Sequence, residues 1–122
     1  MDRVFAGLGA IFAFLAVALG AFGAHALRAH VEPADLAIWE TGVRFQMYHA
    51  LGLVVVAWAS TRWAGPLVSA AGWLFVLGIV LFAGSLYVLV LTGQRWWGAV
   101  TPLGGVSFLV GWALLAWSAL RR

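Results

Sequence analysis

The residues able to do chemistry crowd into one stretch, His25 to His49. It holds all three histidines, three of the four acids (Glu32, Asp35 and Glu40) and two of the seven arginines (Arg28 and Arg44). Imidazole and carboxylate suit metal binding, proton transfer or the capture of a charged headgroup. Spacing narrows these options. No H-x-x-x-H or H-x-x-E puts two ligands on one helix face, and His25 and His30 lie five apart, so neither a metal nor a cofactor is expected. Glu40 and Arg44 have the four-residue spacing of a helical ion pair. Two readings of the stretch stay open. In one, His25, Glu40 and His49 converge on an anionic headgroup, a proton or, least favoured by the spacing, a metal. In the other, Glu40 and Arg44 neutralise each other at an interface while His49 bonds a backbone carbonyl.

Nothing elsewhere supplies a nucleophile. Ser60, Ser69, Ser85, Ser107 and Ser118 sit in apolar runs without a G-x-S-x-G setting, and there is no cysteine. Gly7-x-Gly9 and Gly104-Gly105 lack the strand and flanking residues of a phosphate-binding loop.

The elements that must position the stretch are greasy. Of 122 residues, 65% are hydrophobic and 9% charged, against about 25% charged in a soluble domain. Such a chain cannot cover its own surface in water, so the class is integral membrane protein. The +3 formal charge comes from arginines scattered singly at segment ends. They read as topology anchors, and no nucleic acid is expected as a partner.

The expected architecture is all-α: a single domain over residues 1–122, a bundle of four transmembrane helices with a polar, interfacial helical connection between the first and second. The spans are expected at about 4–24, 45–61, 67–91 and 99–120, all uncharged, the first of the length a bilayer needs and the third long enough to cross with some tilt. The short charged head and Ala24-His25-Ala26 resemble a signal peptide, but the apolar run of the first span exceeds the usual h-region, which favours an uncleaved span. Its small residues Gly9, Ala13, Ala16, Gly20 and Ala24 make a groove for a neighbouring helix. Glu32-Pro33-Ala34-Asp35 is a helix start leading into the second span, with Gly42 as a candidate bend. On that helix Trp39, Val43, Met47, Ala50 and Val54 form an apolar side, read as the lipid face. Glu40, Arg44 and Tyr48 form one polar stripe and Gly42, Gln46 and His49 another, and at least one should point inward. Thr101-Pro102 opens the last span.

Four spans place both termini on one side. Arg3, Arg62, Arg121 and Arg122 gather there, against Arg28, Arg44 and Arg95 on the other, so the termini are expected in the cytoplasm. The opposite face then collects His25, Glu40, Arg44, Gln46, His49, Ser85, Tyr87 and Thr101 as the candidate polar site, with the other leaflet's half nearly pure hydrocarbon. No polar path crosses the membrane, which argues against a channel within one chain.

Gly20-Ala21-Phe22-Gly23-Ala24-His25-Ala26-Leu27 and Trp39-Glu40-Thr41-Gly42-Val43-Arg44-Phe45-Gln46-Met47-Tyr48-His49-Ala50-Leu51-Gly52-Leu53 resemble blocks of the YgdD-like family. So do Gly84-Ser85-Leu86-Tyr87 through Leu91-Thr92-Gly93, and Thr101-Pro102-Leu103-Gly104-Gly105. The resemblance covers essentially the whole chain. It implies a multi-pass helical protein of the cytoplasmic (inner) membrane and brings no established activity or residue role. The leading expectation is a non-enzymatic module that interacts with lipid, a partner membrane helix or further copies of itself. The alternative is an oligomeric carrier of a small molecule or ion using the polar face.

Overall fold

In the computed structural model, which describes residues 1–121, every regular element is helical. Helix α1 covers Asp2–His25 and ends in a 3-10 turn, Leu27–Ala29. Helix α2 runs unbroken from Pro33 to Arg62, passing Gly42 without interruption. Helix α3 (Pro66–Gly78), a π-helical turn (Ile79–Ala83) and helix α4 (Gly84–Thr92) form one continuous rod. A 3-10 segment, Arg95–Ala99, leads into helix α5, Thr101–Leu120.

Local chemistry sets these boundaries. Pro33, Pro66 and Pro102 stand in the first turns of α2, α3 and α5, where a missing N–H costs nothing. Gly93, with φ of 73°, closes α4: its N–H bonds the Leu89 carbonyl at 2.8 Å in a left-handed cap that a side chain would disfavour.

The rods pack antiparallel in chain order. Gly9 faces Ala50 and Val54, Gly20 faces Val43 and Gly23 lies against the Trp39 ring, so α2 runs back along the whole of α1. Gly42 meets Tyr87 and Gly52 meets Phe75, which sets α2 against the α3–α4 rod. Phe108 covers Gly78, Phe75 covers Gly111, and Gly104 has no room for a Cβ against the Phe82 backbone, which sets α5 against that rod. This last approach lies beside the π turn, a widened helical turn of the kind often found at special sites. The main core joins Phe5, Leu53, Val56, Phe75, Ile79, Phe108 and Leu115; a second cluster of Leu27, Trp39, Leu89 and Val90 lies under the turns at the other end.

Three helical stretches are long and apolar enough to cross a membrane: Asp2–Ala29, Pro66–Thr92 and Arg95–Leu120. Helix α2 has the length but carries Asp35, Glu40 and Arg44 in its first half.

Two expectations are corrected here. Trp39 and Ala50 do not face lipid: they are 2% and 0% exposed. Gly23 leaves a hollow that takes the indole, and Trp39 Nε1 donates to the Leu19 carbonyl at 2.9 Å. An apolar stripe shows periodicity but not which stripe a neighbour's glycines will accept. Nor is the opposite half of the bundle free of polar groups. Ser60 donates to the Val56 carbonyl at 2.9 Å, and Trp63 Nε1 donates to Ser118 at 3.0 Å near the termini.

Candidate functional site

The eight residues singled out above fall into three groups rather than one cluster. Four of them, in two pairs, stitch helices together. Gln46, on the inward stripe of α2, donates from Nε2 to the Phe12 carbonyl of α1 at 2.9 Å and accepts from the Tyr87 hydroxyl of α4 at 2.7 Å. Its amide thereby bridges three helices. Ser85 and Thr101 share a 2.6 Å hydrogen bond between α4 and the start of α5, and Ser85 also bonds the Phe82 carbonyl released near the π turn.

His49 stands apart from both pairs. Its ring is 5% exposed and lies flat on Phe108, with centroids 3.5 Å apart and planes 8° from parallel. Nδ1 lies 2.7 Å from the Phe45 carbonyl and must donate to it. Nε2 lies 2.9 Å from the Trp112 indole N–H and must accept. These two bonds together select the neutral Nδ1–H tautomer. Phe75 meets the ring edge-on at 5.4 Å. His49 lies deeper than the sequence suggests. Fourteen residues of α2 separate it from Asp35, roughly 20 Å of helix, and its partner Trp112 lies past the middle of α5.

His25, Glu40 and Arg44 are exposed and remain near the polar end. His25 Nδ1 donates to the Ala21 carbonyl one turn back at 2.8 Å. The Glu40–Arg44 ion pair does not form. Arg44 leans back to the Thr41 hydroxyl at 3.4 Å, and among the described residues the ion pairs are Met1 with Asp2 and Arg95 with Asp35. An exposed i,i+4 pair gains too little to hold two long side chains in one geometry. His25, Glu40 and His49 therefore do not share a site.

Three contributors escaped the sequence reading. Trp112 is the partner of His49; its signal was a tryptophan away from the helix ends, where an indole N–H must find an acceptor. Arg95 makes a two-pronged bond to Asp35 at 2.8 and 3.1 Å, tying the start of α2 to the α4–α5 connection. The Arg95 hydrogen bond holds the Asp35 carboxyl below its ordinary value, and Asp35 in turn raises Arg95. Arg28 lines a cleft with Glu40 beside the α1–α2 turn.

Among the described residues, no buried side-chain nitrogen or oxygen lacks a hydrogen-bond partner. The interior polar groups are occupied with holding helices in register. Between α2 and α5 a lipid-side cleft of about 510 Å³ remains, walled by Phe45, Phe108, Leu109 and Trp112 with His49 at its edge.

Residues 19–105 match the family described as protein of unknown function, DUF423. The chain is 51% identical to the UPF0382 membrane protein YwdK of Bacillus subtilis, over 98% of both chains. It is 47% identical to the UPF0382 membrane protein SERP0230 of Staphylococcus epidermidis, over 98% of this chain and 97% of that one. It is 44% identical to the UPF0382 inner membrane protein YgdD of Escherichia coli, over 92% of this chain and 86% of the relative. No solved structure matches the chain. With a family match over most of its length and relatives this similar end to end, the chain belongs to the DUF423 family of membrane proteins, for which no activity is established.

Proposed function

We propose that this chain is a four-span protein of the inner membrane, with cytoplasmic termini, that works as a binding module within the bilayer rather than as a catalyst. The observation that carries the reading is the occupied interior. Gln46, His49, Ser85, Tyr87 and Thr101 each spend their hydrogen bonds on another part of the chain. What is left for a ligand lies on the outside, in clefts open to lipid and headgroups.

Register supports the fourth span. Because α2 runs back along α1 from Trp39 to Val54, it traverses whatever thickness α1 traverses. Its uncharged part, residues 45–61, is about 25 Å long, close to a hydrocarbon core of about 30 Å. Asp35, Glu40 and Arg44 then lie at the interface. The inner-membrane assignment rests on the likeness to YgdD, and the orientation on the arginines near the termini.

Crosslinking in native membranes, combined with mass analysis of what co-purifies, tests the reading. A specifically retained lipid, a second copy or a partner helix is expected. A clean monomer that retains neither lipid nor protein would refute it. The carrier alternative makes a different demand. If flux in proteoliposomes exists and depends on the polar face, Glu40→Gln should abolish it; unchanged flux removes the alternative.

A further inference from the structure

Beside the turn that joins α1 to α2, a cleft of about 440 Å³ is lined by Ala24, Arg28, Val31, Leu36, Ala37 and Glu40. Apolar side chains line it beside one charge of each sign. Both charged residues are exposed, and among the described residues neither enters an ion pair or a side-chain hydrogen bond with any other group. The two lie more than a salt-bridge distance from one another, so each faces the same space unneutralised.

The geometry points to a zwitterionic phospholipid headgroup carrying a primary ammonium, of the phosphoethanolamine type, bound across this cleft. Arg28 supplies the planar donor fork that suits a phosphodiester. Glu40 accepts from the ammonium. Side chains of a helix lean toward its N-terminus, and the N-terminus of α2 is its polar end, so Glu40 reaches up toward the headgroup level rather than into hydrocarbon. The apolar wall of Val31, Leu36 and Ala24 suits the glycerol and upper acyl region. A singly charged anionic headgroup satisfies Arg28 but leaves Glu40 repelled. A quaternary ammonium neutralises Glu40 but offers no N–H to it. The pairing of opposite charges on one cleft therefore selects among headgroups and not merely for lipid.

This inference rests on the binding-module reading, and one measurement separates their failures. Full-length protein is reconstituted in nanodiscs containing equal parts of phosphatidylethanolamine, phosphatidylcholine and phosphatidylglycerol with identical acyl chains. Retained lipid is then counted by native mass spectrometry. Preferential retention of phosphatidylethanolamine is expected, reduced roughly fivefold in either Arg28→Gln or Glu40→Gln, with unchanged thermal unfolding showing that both variants are folded. Arg44→Gln, one turn further along α2 and outside the cleft, should leave the preference intact. Equal retention of the three lipids, or a preference untouched by both cleft variants, overturns the headgroup assignment alone. Retention of no lipid overturns it as well, and the module reading falls with it only where crosslinking also finds no second copy or partner helix.

Discussion

The three histidines make the same local bond and have opposite surroundings. His25, His30 and His49 each donate from Nδ1 to the carbonyl four residues back, at 2.8, 2.9 and 2.7 Å. At the polar end, among the described residues, that is the one side-chain hydrogen bond His25 and His30 each make, and both residues are exposed. In the middle of the bundle Nε2 of His49 receives the Trp112 N–H, and the ring is clamped between Phe108 and Phe75. A histidine near a helix end and a histidine at mid-depth thus differ in who completes them, water and headgroups in one case and another helix in the other. The polar end leaves its side chains exposed, whereas the polar middle spends its hydrogen bonds between helices.

The sharpest way to break that contrast is to truncate both kinds. His49→Ala removes a buried ring and leaves the Trp112 N–H without an acceptor in a water-poor interior, so a loss of about 3 kcal/mol is expected in unfolding from mixed micelles. His25→Ala should change stability by no more than about 0.5 kcal/mol, as exposed positions do. Equal effects would show that His49 is not the structural member of the set. Trp112 emission should also shift in His49→Ala and stay put in His25→Ala.

The bridge through Gln46 makes a smaller and more diagnostic case. Gln46→Leu strands the Tyr87 hydroxyl and Tyr87→Phe strands the Gln46 carbonyl oxygen, each at a cost of about 1–2 kcal/mol, since hydrogen bonds between membrane helices are individually modest. The double variant removes both partners, and its loss should fall short of the sum by about 1 kcal/mol. Strict additivity would mean that the 2.7 Å bond contributes nothing that water or lipid does not replace.

These contrasts also mark what the sequence made legible. Class and helix boundaries were open to inspection, because apolar runs, Pro33, Pro66 and Pro102 act locally. Helix α2 was also seen to carry two polar stripes, and the inward one proved to be Gly42, Gln46 and His49. Partners were not legible. Trp39 went to the core because a glycine 16 residues earlier made space, and His49 found an indole 63 residues later. Those facts depend on helix order and register, which periodicity in one segment does not encode. Convergence at one face was inferred from depth along each span. Depth alone could not show that Arg44 would turn back to Thr41 or that Glu40 would face a cleft with Arg28.

The weakest link expected is the one pair of opposite charges joining the two ends of the chain's polar surface, Asp35 and Arg95. Arg95 is exposed, and salt screens such a pair, so Asp35→Asn should cost less than either interior change and the difference should shrink in high salt. Its signature is in the pH dependence. The Asp35 carboxyl is held below its ordinary value of about 3.9 by the Arg95 bond. At neutral pH it is charged folded and unfolded, and the pair contributes in full. As pH falls, the unfolded chain takes up this proton first, at the ordinary value, while the folded chain resists until its lower value is reached. Across that window the folded state loses stability relative to the unfolded one. Arg95 stays protonated in both states throughout and adds no slope. Thermal unfolding followed from about pH 5 to about pH 3 should therefore fall more steeply in the wild-type chain than in Asp35→Asn. Parallel profiles would show that the bond between the α2 start and the α4–α5 connection is as dispensable to stability as the side chain of His25.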